Sequence, residues 1–119
     1  MSAALDGVWE MIRAESGGEN SQDLIALKVE LEVGAGVYIV RFAGQIADRG
    51  TFSIDGNDAF ILTGLEGPNQ GRTIPCLFQR VGDRLRVCYG LDGIAPISFA
   101  SPVGSTHYLA TYRMKNRTA

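Results

Sequence analysis

The chain has 119 residues, 45% hydrophobic and 20% charged, with a formal net charge of −2. That length predicts one domain over residues 1–119, large enough to bury a core without crosslinks. The charge pattern lacks a basic nucleic-acid footprint. No apolar run reaches the roughly 18 residues of a membrane span, and residues 1–6 do not read as a secretory leader, so a cytoplasmic location is expected.

Residues 8–14 read as a first strand, broken by Gly17-Gly18-Glu19-Asn20. Residues 21–25 suit a short helical turn with Ser21 as N-cap. The clearest strand follows: Leu27, Val29, Leu31 and Val33 alternate with Lys28, Glu30 and Glu32, which sends the first set to a core. A two-residue turn within Gly34-Ala35-Gly36 puts Tyr38, Val40 and Phe42 on the core face and Arg41 outside; a three-residue turn reverses this. Two-residue hairpins are the commoner form. Strands at 51–54 and 59–63 flank the turn signal Asp55-Gly56-Asn57-Asp58, and a polar loop occupies 66–72.

Strands at 73–81 and 84–89 enclose Gly82-Asp83. A two-residue turn there pairs Cys76 with Tyr89, Phe78 with Val87 and Arg80 with Leu85. Cys76, Phe78, Leu85, Val87 and Tyr89 then face the core. A short strand is expected at 97–100, limited by Pro96 and Pro102. The last strand covers 107–114. Tyr108, Ala110, Tyr112 and Met114 compete with His107, Leu109, Thr111 and Arg113 for its inner face. The sum is an all-β chain of eight or nine strands with one short helical turn. A small antiparallel up-and-down barrel fits, and so does a sandwich.

Gly7-Val8-Trp9 and Arg113 resemble the Gly-x-Trp opening and late arginine of lipocalins. A narrower resemblance covers most of the chain. Leu5-Asp6-Gly7-Val8-Trp9, Gly50-Thr51-Phe52-Ser53-Ile54-Asp55, the 66–72 loop, the 82–88 hairpin, Pro96-Ile97-Ser98-Phe99 and the closing strand are similar to a family of small bacterial lipocalin-like domains of unknown function, first described as planctomycete sigma-factor-associated domains. The resemblance implies a calycin-like barrel closed at one end by Trp9, with Arg113 packed over the indole. It brings no ligand with it.

An apolar lumen suits a small hydrophobic or weakly anionic organic ligand. The candidate ligand-binding residues are Met11, Arg13, Tyr38, Val40, Phe42, Phe78, Val87 and Tyr89. Arg13 shares the face of Trp9 and Met11, and an inward guanidinium would call for an anion. The segment Asp48-Arg49-Gly50 and the loops at 66–72 and 90–96 are candidates for the barrel mouth. Two other readings stand beside a binding module. One is an enzyme, a cyclase, isomerase or hydrolase working by substrate positioning, with His107, Tyr89 and Tyr38 as candidate catalytic groups. The other is an interaction scaffold with a filled lumen that pairs with a partner or a second copy. No metal or cofactor is expected, because one histidine and two cysteines on opposite faces give no ligand spacing. Those cysteines, Cys76 and Cys88, are expected to be free thiols.

Overall fold

Period-two alternation and tight turns roll this chain into a closed cylinder. The computed structural model describes residues 5–101 and 107–116. Its elements are β1 (Gly7–Ser16), β2 (Glu19–Asn20), α1 (Gln22–Ala26), β3 (Val29–Gly34), β4 (Val37–Phe42), β5 (Gln45–Ile54), β6 (Ala59–Glu66), β7 (Thr73–Val81), β8 (Arg84–Gly90) and β9 (His107–Asn116). From β3 onward each strand pairs antiparallel with the next, while β1 pairs with both β3 and β9 and so closes the barrel. Eight strands form the wall, and β2 adds only a short pairing at Glu15 and Ser16. No described helix is long and apolar enough to cross a membrane.

Turn chemistry sets the register. Gly34 pairs with Val37, leaving the two-residue turn Ala35-Gly36, whose φ values of 53° and 75° fit the twist of a tight hairpin. Tyr38 therefore points inward, fully buried, and Arg41 points outward to Glu32 at 2.6 Å. The β7–β8 hairpin has the register expected from its alternation: Cys76 opposite Tyr89, Phe78 opposite Val87 and Arg80 opposite Leu85. On β9 the inner set is Tyr108, Ala110, Tyr112 and Met114, all packed in or against the core.

Four local expectations are corrected. Leu27 leaves the core set because Lys28 takes a positive φ of 53°, so β3 begins at Val29 and Leu27 stays exposed at the end of α1. Ser21 occupies the N-cap position without a side-chain bond to the helix. β5 begins at Gln45, six residues before the expected 51 (51 minus 45), because a second tight turn at Ala43-Gly44 returns the chain early. Finally, 97–100 is not a strand. With Pro96 buried, this stretch crosses the outer face of β8, where Cys88 Sγ meets the Ala100 carbonyl at 3.5 Å and the Arg86 guanidinium lies 4.2 Å from the Phe99 ring centre. Cys88 points outward yet is buried beneath this strap, and both cysteines are free thiols.

The lumen has two unlike halves. At the end of the 35–36, 55–58 and 82–83 turns, large side chains pack against one another inside the barrel. Phe52 packs on Phe60 at 4.8 Å and Phe60 on Phe78 at 5.5 Å. Trp9 is fully buried there and donates its indole N–H to the Leu5 carbonyl at 3.0 Å. α1 sits at the other end, against β1 and β3.

Candidate functional site

That other end holds a cavity of about 350 Å³. All four tyrosines of the chain, Tyr38, Tyr89, Tyr108 and Tyr112, line it, with Met11, Val29, Leu31, Val40, Leu62 and Ile74 supplying much of the rest. Asp48, Asn69 and Arg72 are the polar groups of its wall and mouth.

The tyrosines are held against the wall by their own hydroxyls. Tyr89 and Tyr112 share a 2.6 Å hydrogen bond, and Tyr108 donates to Met11 Sδ at 3.5 Å. Tyr89 and Tyr108 lie ring to ring, centres 5.5 Å apart. Burial raises all four phenols above the ordinary value, Tyr108 to about 12. Each is therefore a neutral hydrogen-bonding group at neutral pH, not a base.

Asp48 reaches the lumen because β5 alternates from its inner residues Phe52 and Gly50 back to 48. A bulge opposite Val40 and Arg41 adds Ala47 just before it. Gly50 makes room for Tyr38: a Cβ there would lie 2.7 Å from the tyrosine ring and 2.0 Å from the Thr63 carbonyl oxygen. Tyr38 then donates its hydroxyl to Asp48 Oδ2 at 3.3 Å. Asn69 Nδ2 donates to the same oxygen at 2.8 Å, and the Arg49 backbone N–H to Oδ1 at 3.0 Å.

Asn69 is presented by the 66–71 loop, which folds back onto β6. Gly71 donates its N–H to the Gly64 carbonyl and Gly64 its own to Arg72, both at 2.9 Å. Gly67, at φ +86°, lies so close to β5 that a Cβ would sit 2.5 Å from the Ala47 carbonyl oxygen. Arg72 ties the 66–71 loop to the end of β8, donating to Asn69 Oδ1 at 3.1 Å and to the Leu91 carbonyl.

Of the residues read from sequence as ligand-binding, Met11, Tyr38, Val40, Phe42 and Tyr89 line the cavity. Arg13, Phe78 and Val87 do not. A bulge between Met11 and Arg13 turns Ile12 and Arg13 outward and returns Ala14 to the core, so Arg13 pairs with Glu15 at 3.4 Å on the surface. Phe78 and Val87 belong to the packed half. Of the candidate catalytic groups, Tyr38 and Tyr89 line the cavity, whereas His107 is the β9 residue opposite Gly90 and does not.

The cation over Trp9 is Arg80, 5.1 Å from the ring centre, not Arg113. Arg113 follows the outer face of β9 and bonds Glu10. The register had carried the signal, since Arg80 shares the inner face of Phe78 and Leu85. Asp48 and Asn69 fall in the segments proposed for the mouth, but only period-two counting back along β5 identifies Asp48 as inward. Among the described residues no cluster of three His, Cys, Asp or Glu is placed to hold a metal. No model of a known protein family matches the chain, and no curated protein matches it.

Proposed function

We propose that the protein binds a small, mainly apolar organic molecule in the open half of its barrel. The observation that carries this reading is the cavity of about 350 Å³ walled by aliphatic and aromatic side chains, which lies within the ~300–1,000 Å³ range of ligand pockets. The lipocalin-like character of the opening Gly7-Val8-Trp9 supports it by analogy, since barrels of this size enclose single small ligands. Binding is favoured over catalysis because the cavity hydroxyls are largely engaged with Met11, Asp48 and one another, and because His107 is off the cavity wall. The case for an anionic ligand made from Arg13 loses its basis, as that side chain faces out.

The test uses the neutral fluorophore N-phenyl-1-naphthylamine. Its emission rises on entering an apolar site. Val40→Phe fills the cavity and is expected to weaken binding about tenfold, while Arg13→Ala leaves it unchanged. No binding by the natural chain, or equal binding by Val40→Phe, refutes the reading.

A further inference from the structure

We infer that the cavity selects a cationic ligand: an organic amine whose ammonium group sits on Asp48 and whose apolar body lies against the tyrosine wall. The inference rests on the cavity being a binding site and adds the charge of its occupant.

Asp48 is the acidic residue of the lining and is only 8% exposed. Its partners Tyr38, Asn69 and the Arg49 backbone are all neutral donors. Among the described residues no Lys or Arg nitrogen lies at ion-pairing distance from it. The Arg49 side chain turns outward to Glu66 at 3.1 Å. A buried carboxylate without a cation is an unfavourable arrangement that an ammonium corrects. A carboxylate also has about four acceptor positions, of which three are used. The Tyr38 contact, at 3.3 Å, is long for O–H···O and is readily exchanged for a stronger donor.

The far wall suits the rest of such a ligand. β5 and β9 are four strands apart whichever way the barrel is traversed, so Asp48 faces the side of Tyr108 and Tyr112 across the lumen. Those rings, with Tyr89, give an aromatic surface that also tolerates positive charge. A carboxylate ligand finds the reverse. Of the three phenol protons on that wall, one of the Tyr89–Tyr112 pair and that of Tyr108 are already given to the other phenol and to Met11, which leaves a single O–H for a carboxylate. Arg72, the cation of the mouth, is exposed and engaged with Asn69 and Leu91, so solvent screens its charge, while Asp48 acts in a drier medium.

The experiment displaces N-phenyl-1-naphthylamine from the natural chain with 4-phenylbutylamine, 4-phenylbutyrate and 4-phenyl-1-butanol. A melting-temperature rise with each compound alone is the second readout. The amine is expected to bind at least about tenfold more tightly than the acid, with the alcohol between them. Asp48→Asn keeps the shape and is expected to abolish that order in both displacement and melting temperature. Arg13→Ala serves as the surface-charge control. Equal binding of the three compounds, tighter binding of the acid, or an amine preference that survives in Asp48→Asn overturns the inference. Any of these with the fluorophore still bound leaves the cavity reading standing. A fluorophore that never enters, with no melting shift from any compound, removes both.

Discussion

The two halves of the barrel share eight strands and one alternation rule, yet one is solid and the other hollow. The difference lies in what the inward side chains do with their far ends. In the packed half the inward groups are Trp9, Phe52, Phe60, Leu85 and Val87, all nearly or fully buried. Apolar groups gain by meeting, so they fill the axis. In the hollow half four of the large inward groups are tyrosines, whose hydroxyls need partners when buried. They find them along the wall, as in the Tyr89–Tyr112 bond of 2.6 Å and the Tyr38–Asp48 bond. A phenol tethered at its tip stays beside the wall, and the space in front of it stays open. The void is thus a consequence of hydrogen bonding as much as of side-chain size.

The same truncation in each half breaks or sharpens that contrast. Val87 is fully buried in the packed half and pairs with Phe78. Val40 lines the cavity. Val87→Ala is expected to cost about 2 kcal/mol, the transfer of two methyl groups plus a new void. Val40→Ala enlarges a space that already exists, and its expected cost is below about 1 kcal/mol. Urea denaturation of both variants measures the two values. Equal losses would mean that the cavity closes in solution.

Alkaline pH separates the halves by their phenols. Burial raises all four tyrosines of the hollow half above the unfolded value of 10.0. Between pH 10 and 11 the unfolded chain therefore releases protons that the folded chain keeps. Stability that is fully present below pH 10 falls as pH rises. Each tyrosine adds a slope of up to about 1.4 kcal/mol per pH unit. The buried thiols of Cys76 and Cys88, also raised, act in the same direction from their ordinary value of 9.0 upward. Tyr112→Phe removes one phenol, so its urea midpoint is expected to fall less steeply across this window than that of the natural chain. Parallel slopes would mean that Tyr112 titrates as it does in water.

Much of the strand register was legible in the sequence. The Gly82-Asp83 turn and the alternation around it fix the β7–β8 register, and the two-residue turn at Ala35-Gly36 fixes the face of Tyr38. Both are local, and a one-residue slip would have turned core residues to water. What escaped reading was non-local or broke the period. The bulge after Met11 reverses Arg13, and nothing in the residues near it marks the irregularity. Asp48 looked like a loop residue because Asp and Gly are poor strand formers. Pairing with β4 on one side, and the room Gly50 gives to Tyr38, place it in a strand all the same. Asn69 reaches Asp48 only because the 66–71 loop folds back, a contact across 21 positions. The burial of Cys88 likewise depends on a strap whose path no alternation predicts.

That strap gives the finest version of the inside–outside contrast. Cys76 and Cys88 are both almost fully buried, at 2% and 0% exposure, but by different means. Cys76 faces the interior beside Phe60 and Tyr89, its partners across the two flanking strands. Cys88 lies on the outer surface of β8 beneath the segment that brings the Ala100 carbonyl over it. This segment has no ladder hydrogen bonds, and its anchors include the buried Pro96 and Ser101. Lifting it exposes Cys88 and leaves the barrel closed, whereas exposing Cys76 requires the wall itself to open. Local openings of that kind are cheaper than global unfolding. Alkylation by iodoacetamide, followed by mass spectrometry of the two peptides, is therefore expected to be at least about tenfold faster at Cys88. Its rate should vary little with urea below the unfolding transition, while the rate at Cys76 follows global stability. Equal rates with the same urea dependence would show that strap and wall open together, making the outer cover part of the same cooperative unit as the core.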